Sequence, residues 1–226
     1  MTTGVGLPSH VRHLLAPNPG PMTLDGTNTW VLDGTTVIDP GPADEAHLGE
    51  IGPVRSILVT HRHIDHVEGV PRLVEITGAT EVAEVEGIEV LPTPGHTRDS
   101  VSFLVSRGGD RVIFTGDTIL GRGSSVVMWP DGDVAAYLET LRTLSGLDGV
   151  MVLPGHGPVL PDCAAAARWL LDHRLERLEQ VRDALRRGAE SPEDVVKIVY
   201  ADVDPAILIA AEWTVRAQLE YLRDHP

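Results

Sequence analysis

The 226-residue sequence predicts a mixed α/β body followed by a small all-helical tail. Three observations carry that expectation. Up to about Asp162, short apolar runs alternate with turn clusters rich in Gly, Pro and Asp. Four of those runs break off into loops bearing His or Asp, as strands do at the working edge of an α/β sheet. From about Ala164 onward the strand signals stop, and apolar residues recur at helical spacing.

Taken in order, Asn28-Thr29-Trp30-Val31-Leu32 reads as a strand, and Thr36-Val37-Ile38 as a second one stopped by Asp39-Pro40-Gly41-Pro42. The apolar runs Ile57-Leu58-Val59, Ile88-Glu89-Val90-Leu91, Val112-Ile113-Phe114 and Val150-Met151-Val152-Leu153 are the four that end on loops with potential ligands. A helix is expected over Pro71 to Thr77, with the proline tolerated in its first turn, and another from about Val134 to Leu144, capped by Asp131 or Asp133. In the tail, Trp169, Leu170, His173, Leu175, Leu178, Val181 and Leu185 mark one helix. Ser191-Pro192-Glu193-Asp194 opens a second through a capping serine and a proline at N1, and Asp204-Pro205 opens a third.

An apolar content of 42% suffices for an ordinary buried core. No apolar run is long enough to cross a bilayer, and Met1-Thr2-Thr3-Gly4-Val5-Gly6-Leu7-Pro8 lacks the features of a signal peptide, so the expected location is cytoplasmic, with no membrane partner. The single cysteine, Cys163, has no partner for an internal disulfide and reads as a small helix residue near a chain turn. A net charge of −15, with Lys197 the only lysine among 18 basic residues, argues against a broad polyanion-binding surface, although a local arginine patch stays open.

Thr60-His61-Arg62-His63-Ile64-Asp65-His66 places three imidazoles and a carboxylate within six residues directly after an apolar run. Imidazole nitrogen and carboxylate oxygen suit Zn²⁺, and a strand ending in a tight loop aims alternate side chains at one point. The other runs lead to Gly95-His96, Gly116-Asp117 and Gly155-His156. Any one of these histidines alone would be an ordinary core or surface residue. Together, at four strand ends, they supply six to seven donors, too many for one zinc. His10, His13, His47 and His225 lack such a setting and are expected to be solvated. Gly95, Gly116, Gly155 and Gly157 beside the ligands allow abrupt turns or close backbone approach.

The ordered His-x-His-x-Asp-His, His, Asp, His set formed by His61, His63, Asp65, His66, His96, Asp117 and His156 resembles that of the metallo-β-lactamase superfamily. The resemblance implies a four-layer αββα sandwich with its metals at one edge between two sheets. It also implies that His61, His63 and His96 hold a first ion, that Asp65, His66 and His156 hold a second, and that Asp117 bridges them. Two Zn²⁺ per chain are expected, Fe or Mn being the alternatives, with a bridging hydroxide as nucleophile and Asp65 and Asp117 as catalytic carboxylates. On this reading residues 1–163 form the metal-binding catalytic domain and residues 164–226 a short helical subdomain.

Within the superfamily, the chain looks closest to the branch of the mitochondrial β-lactamase-like single-strand endoribonuclease and its bacterial relatives. Local matches are Asn18-Pro19-Gly20-Pro21 with Thr23-Leu24-Asp25-Gly26-Thr27-Asn28-Thr29, Gly95-His96-Thr97 with Asp99-Ser100, Gly116-Asp117 with Leu120-Gly121, and Pro154-Gly155-His156-Gly157-Pro158 followed by His173-Arg174. Two features depart from that branch. The segment from His66 to His96 is shorter, and the tail ends without the β-wing that would complete a winged-helix-like unit, so the subdomain is expected to be a truncated one. Asp117 in place of a bridging cysteine argues against one major class of zinc β-lactamase, and His63 in place of Glu argues against the diiron flavoproteins.

Further candidates follow from position. Asp39, at the end of a strand, is placed to accept hydrogen bonds from the metal loop, turn formation being its alternative role. His173 and Arg174 are expected near the cleft, meeting an anionic substrate, against the alternative of an exposed helical pair. Trp129, Ser124 and Ser125 are candidates for the pocket wall. The leading expectation is a dinuclear zinc hydrolase of a small ester, thioester or lactone. Hydrolysis of single-stranded RNA is the alternative, supported by the branch and disfavoured by the charge. A mononuclear iron sulfur dioxygenase and a non-catalytic metal-stabilised module rank below these. The expected partner is a small-molecule substrate, and no oligomeric state follows from the sequence.

Overall fold

The computed structural model describes residues 6–201 and 205–225. One sheet runs β1 (Val11–Leu15), β2 (Asn28–Leu32), β3 (Thr36–Ile38), β4 (Ser56–Leu58) and β5 (Thr80–Glu81), and the other β6 (Ile88–Pro92), β7 (Val101–Arg107), β8 (Asp110–Gly116) and β9 (Met151–Pro154). The helices are α1 (Glu45–Ile51), α2 (Ile64–Val67), α3 (Val70–Thr77), α4 (Val134–Leu144), α5 (Cys163–Arg186), α6 (Pro192–Val199) and α7 (Leu208–Asp224).

Alternation along the strands builds four layers. Successive residues of a strand face opposite sides, so a strand buried on both faces feeds two cores. Val31, Val37 and Ile57 pack outward against Leu48 and Ile51 of α1 and Leu73 of α3. Their neighbours Trp30, Leu32, Ile38 and Leu58 face inward against Phe103, Val105, Val112, Phe114 and Leu153 of the second sheet. Leu104, Ile113 and Val152, on that sheet's other face, pack against Tyr137, Leu138 and Leu141 of α4 and Ala167, Leu170 and Leu178 of α5. The layer order is therefore helix, sheet, sheet, helix, as expected.

The described residues of the tail share one core with the body. Val181 and Ala184 of α5, Val195 and Val196 of α6, and Val215 and Leu222 of α7 belong to the same apolar cluster as α4 and the second sheet. Cys163 is the first residue of α5, and burial pushes its thiol up to about 12, which leaves it inert at neutral pH. The expected caps are present: Asp133 accepts from Ala136 N, and Ser191 from Asp194 N ahead of Pro192. The third tail helix is preceded by a 3₁₀ turn, Pro205–Ile207, and Asp204, the residue expected to open it, lies outside the described residues. Among the described residues, no helix is long and apolar enough to cross a membrane.

Strand direction explains where the site forms. β3 and β4 are parallel, as are β8 and β9, while β7 runs antiparallel to both β6 and β8. The carboxyl ends of β3, β4, β6, β8 and β9 therefore lead to Asp39, Thr60-His61, His96, Asp117 and His156. Hydrogen bonds lace the two sheets together there, from Val101 N to Thr60 O at 2.9 Å and from Asn28 N to Gly155 O at 2.7 Å.

Candidate metal centre

His61 leaves β4 buried, and the one-turn helix α2 presents Asp65 and His66, the latter fully buried. His61 Nε2 and His96 Nε2 lie 2.9 and 3.0 Å from His63 Nδ1. On the other side, His156 Nε2 lies 3.3 Å from His66 Nε2 and 3.1 Å from Asp65 Oδ2. Asp117 stands between the two groups. Its Oδ1 is 3.5 Å from both His66 Nε2 and His156 Nε2, and its Oδ2 is 3.7 Å from His96 Nε2. All seven expected ligands converge, as one group of His61, His63, His96 and Asp117 and another of Asp65, His66 and His156.

The far nitrogens of four rings are held by oxygen. His66 Nδ1 donates to Asp39 Oδ2 at 2.9 Å, His96 Nδ1 to Val126 O at 2.6 Å, and His156 Nδ1 to Gly26 O at 3.1 Å. The Thr60 hydroxyl gives its proton to Asp39 Oδ2 at 2.6 Å, so it accepts from His61 Nδ1 at 3.1 Å. A carbonyl or carboxylate has no proton to give; with a proton assigned to each far nitrogen on that ground, each ring in its neutral form turns its Nε2 lone pair to the shared space. Asp39 also takes Thr60 N at 2.8 Å, which fixes the start of the loop. The role expected of this carboxylate at the end of β3 is the one its contacts give it.

Electrostatics separate the two halves. Burial holds His61 well below the ordinary histidine range, lowers His63, and pushes His96 down to about 4, so these three are neutral near pH 7. In the other half burial opposes charge as well, but carboxylates outweigh it: Asp39 and Asp117 raise His66, and Asp117 with Asp65 pushes His156 up to about 10. Asp117 is held well below the usual carboxylate range, His156 and His66 outweighing its burial.

Divalent metal fits this set. Asp117 Oδ1 is buried without a hydrogen-bond partner, a costly arrangement unless a cation completes it. Gly155 keeps the space open, because a Cβ there would lie 2.6 Å from Asp117 Oδ1 and 2.8 Å from His66 Cε1. Tetrahedral Zn–N bonds of about 2.0–2.1 Å place ligand atoms roughly 3.3 Å apart, close to the spacings found in both groups.

A cavity of ≈ 330 Å³ opens beside His96 and Asp117, walled by Met22, Leu24, Leu120, Val126, Trp169 and Ala211 among others. Ser124 and Ser125 line it as expected; Trp129 does not, lying instead under the Arg216 guanidinium. His173 borders the cavity, its ring stacked on Trp169. Arg174 also borders it, from a buried position. It is 4% exposed, donates through Nη2 to Ser125 O, and lies over the Tyr137 ring. His47 is a second departure: it is buried rather than solvated, and bonds Thr29 Oγ1 at 2.9 Å beneath the Asp39 turn.

The sequence profile described as "Metallo-beta-lactamase superfamily" matches residues 22–91 and 78–156, and that of the "Beta-lactamase associated winged helix domain" matches residues 191–225. The chain is 30% identical to the "Beta-lactamase-like protein 2 homolog" of Drosophila melanogaster over 96% of its own length and 88% of that protein's. It is 32% identical to an "Atrochrysone carboxyl ACP thioesterase" of Aspergillus fumigatus, over 80% of its own length and 66% of that protein's. The crystal structure of a beta-lactamase domain protein from Burkholderia ambifaria superposes with a TM-score of 0.77 at 23% identity, covering 97% of this chain and 87% of that one. With the converging ligand set, these likenesses establish that the chain belongs to the metallo-beta-lactamase superfamily of metal-dependent hydrolases.

Proposed function

We propose that the chain is a dinuclear zinc hydrolase of a small ester, thioester or lactone, a thioester fitting best. His61, His63 and His96 would hold one ion, Asp65, His66 and His156 the other, and Asp117 offers one oxygen to each side. Bound there, a pair of divalent ions supplies Lewis acidity for the acyl oxygen and acidifies water to a pKa of about 7. Asp65, with 24% of its side chain exposed, is the ligand carboxylate that reaches furthest into solvent. In this reading it would take a proton from the attacking water and return it to the departing thiol or alcohol.

The observation that carries the reading is the chemistry of the cavity wall. It is largely apolar, and each arginine on it already has a protein partner: Arg122 pairs with Asp25, Arg174 donates to Ser125 O, and Arg177 donates to Gln180 Oε1 and Val199 O. Such a wall suits an uncharged acyl chain better than a phosphodiester backbone. The likeness to a relative named as an acyl-carrier thioesterase supports the same class.

The test is a panel of acyl thioesters, esters, lactones and single-stranded RNA, assayed with the Zn²⁺-loaded chain at two salt concentrations. Thioester turnover that is lost with chelator and little affected by salt is expected. Cleavage confined to RNA and falling steeply with salt would overturn the substrate class. Tight binding of only one Zn²⁺ per chain would overturn the dinuclear assignment.

A further inference from the structure

We infer that Arg174 is a positioning residue for the first metal site: from the tail helix α5 it fixes the segment that orients His96. Resting on the dinuclear reading above, the inference follows a continuous chain of contacts. Arg174 Nη2 donates to Ser125 O, Ser125 Oγ lies 3.1 Å from His96 Nδ1, and the next carbonyl, Val126 O, accepts from that same nitrogen at 2.6 Å. Helix α7 grips the following residue, Val127 N donating to Thr214 Oγ1 at 3.3 Å, and Met128 N closes back onto His96 O at 3.1 Å.

The underside of the segment is fixed as well. Arg174 Cζ lies 5.1 Å from the centroid of the Tyr137 ring, the Tyr137 hydroxyl donates to Thr118 O at 2.6 Å, and a Cβ on Gly95 would lie 2.4 Å from Tyr137 Cβ. His96 therefore sits in a backbone clamp whose outer jaw is the tail. His61, His66 and His156 are not held this way; their far nitrogens are fixed by Thr60, Asp39 and Gly26, from the first sheet and its loops. The clamp should act on one metal site only, and that selectivity separates positioning from a general packing role or a substrate contact.

The experiment titrates the metal-free full-length chain and its Arg174→Met variant with Zn²⁺ against a competing chelator, the two binding steps being assigned with His63→Ala and Asp65→Asn controls. Methionine keeps an unbranched stem of similar reach and removes every N–H donor. Loss of a direct outer partner of a metal-bound histidine costs about 10- to 100-fold in affinity; Arg174 acts one contact further out, so the first step should weaken by up to about tenfold while the second stays as in the parent chain. With saturating Zn²⁺, kcat should fall and KM should not rise. Arg174→Lys, which keeps a donor for Ser125 O, should recover part of the first-step affinity. If Arg174→Met does not fold, Arg174→Lys and Thr214→Val carry the same comparison, each expected to weaken the first step alone. The inference is overturned if both steps keep their affinity while KM rises, which makes Arg174 a substrate contact, or if both steps weaken together with the melting temperature. A parent chain that takes up only one Zn²⁺ refutes the dinuclear reading instead.

Discussion

Replacing Asp39 by Asn should disable the second metal site without disturbing the fold. Asp39 accepts three hydrogen bonds, from Thr60 N at 2.8 Å, Thr60 Oγ1 at 2.6 Å and His66 Nδ1 at 2.9 Å. Its φ of 51° lies in the left-handed region, which Asn tolerates, so the substitution isolates the side chain. If the amide oxygen keeps Thr60 N, the NH₂ group faces two donors. The threonine hydroxyl can rotate away. The His66 ring can relieve the clash only by moving its proton to Nε2, the nitrogen aimed at Asp117 and His156, and a protonated nitrogen cannot bind metal. Losing a hydrogen bond to a charged partner costs about 1.5–3 kcal/mol. A 10- to 100-fold loss of metal affinity corresponds to about 1.4–2.8 kcal/mol, so the two routes agree. Zn²⁺ titration against a competing chelator should show the second step weakened by about that factor and the first step much less. An unchanged second step, or equal loss at both, would refute the argument that Asp39 acts by fixing the His66 tautomer.

Two other perturbations probe the same geometry. Gly155→Ala places a methyl group against Asp117 Oδ1, with His66 pinned by Asp39 on one side and the Gly116 carbonyl carbon 3.0 Å away on the other, so Asp117 must rotate. The strain should cost about 1–3 kcal/mol in thermal or urea unfolding and reduce the two-metal stoichiometry; a variant with full stability and two tightly held ions would count against the cradle. Metal binding should also release protons unevenly. His61, His63 and His96 are held low and give up little at pH 7, whereas His66 is raised and His156 pushed up to about 10, so filling the second site displaces protons and its affinity rises with pH toward that value. Calorimetry in buffers of different ionisation enthalpy reads the release directly, and equal release at both steps would contradict the asymmetry.

Most of the centre was legible because its signals are local. Each ligand follows an apolar run within a few residues, and a parallel pair of strands necessarily delivers its carboxyl ends to one edge. Asp39 was legible for the same reason. The far partners of the histidines were not: Val126 O and Gly26 O are backbone carbonyls, chemically identical to every other carbonyl until the chain is folded. Strand β1 was missed because it is an edge strand, with only Val11 buried, so Arg12 and His13 break the alternation that marks a half-buried strand. His47 was misjudged although a signal existed, since it shares the buried face of α1 with Leu48 and Ile51 at helical spacing. Arg174 borders the cleft, as its position after His173 suggests. A sequence shows that an arginine follows His173 on a helix but not that a backbone carbonyl claims it first.

The charge of the whole chain bears on what the centre can meet. A formal net charge of −15 produces a field that concentrates divalent cations and opposes the approach of a polyanion. The centre contributes the carboxylates Asp65 and Asp117, with buried Asp39 behind His66, so two bound dications and a hydroxide would leave it close to neutral within an acidic surround. A small uncharged acyl compound is indifferent to the outer field and feels the inner one only where its carbonyl oxygen develops charge. An RNA strand must cross the outer field along its full length, and the arginines at the cavity wall are already committed to Asp25, Ser125 and Val199. Any RNA that is cleaved must exchange its counterions for cations at the centre, so added salt should lower its turnover steeply. For a neutral thioester the effect is small, which is why the salt response of turnover distinguishes the two substrates more sharply than affinity alone.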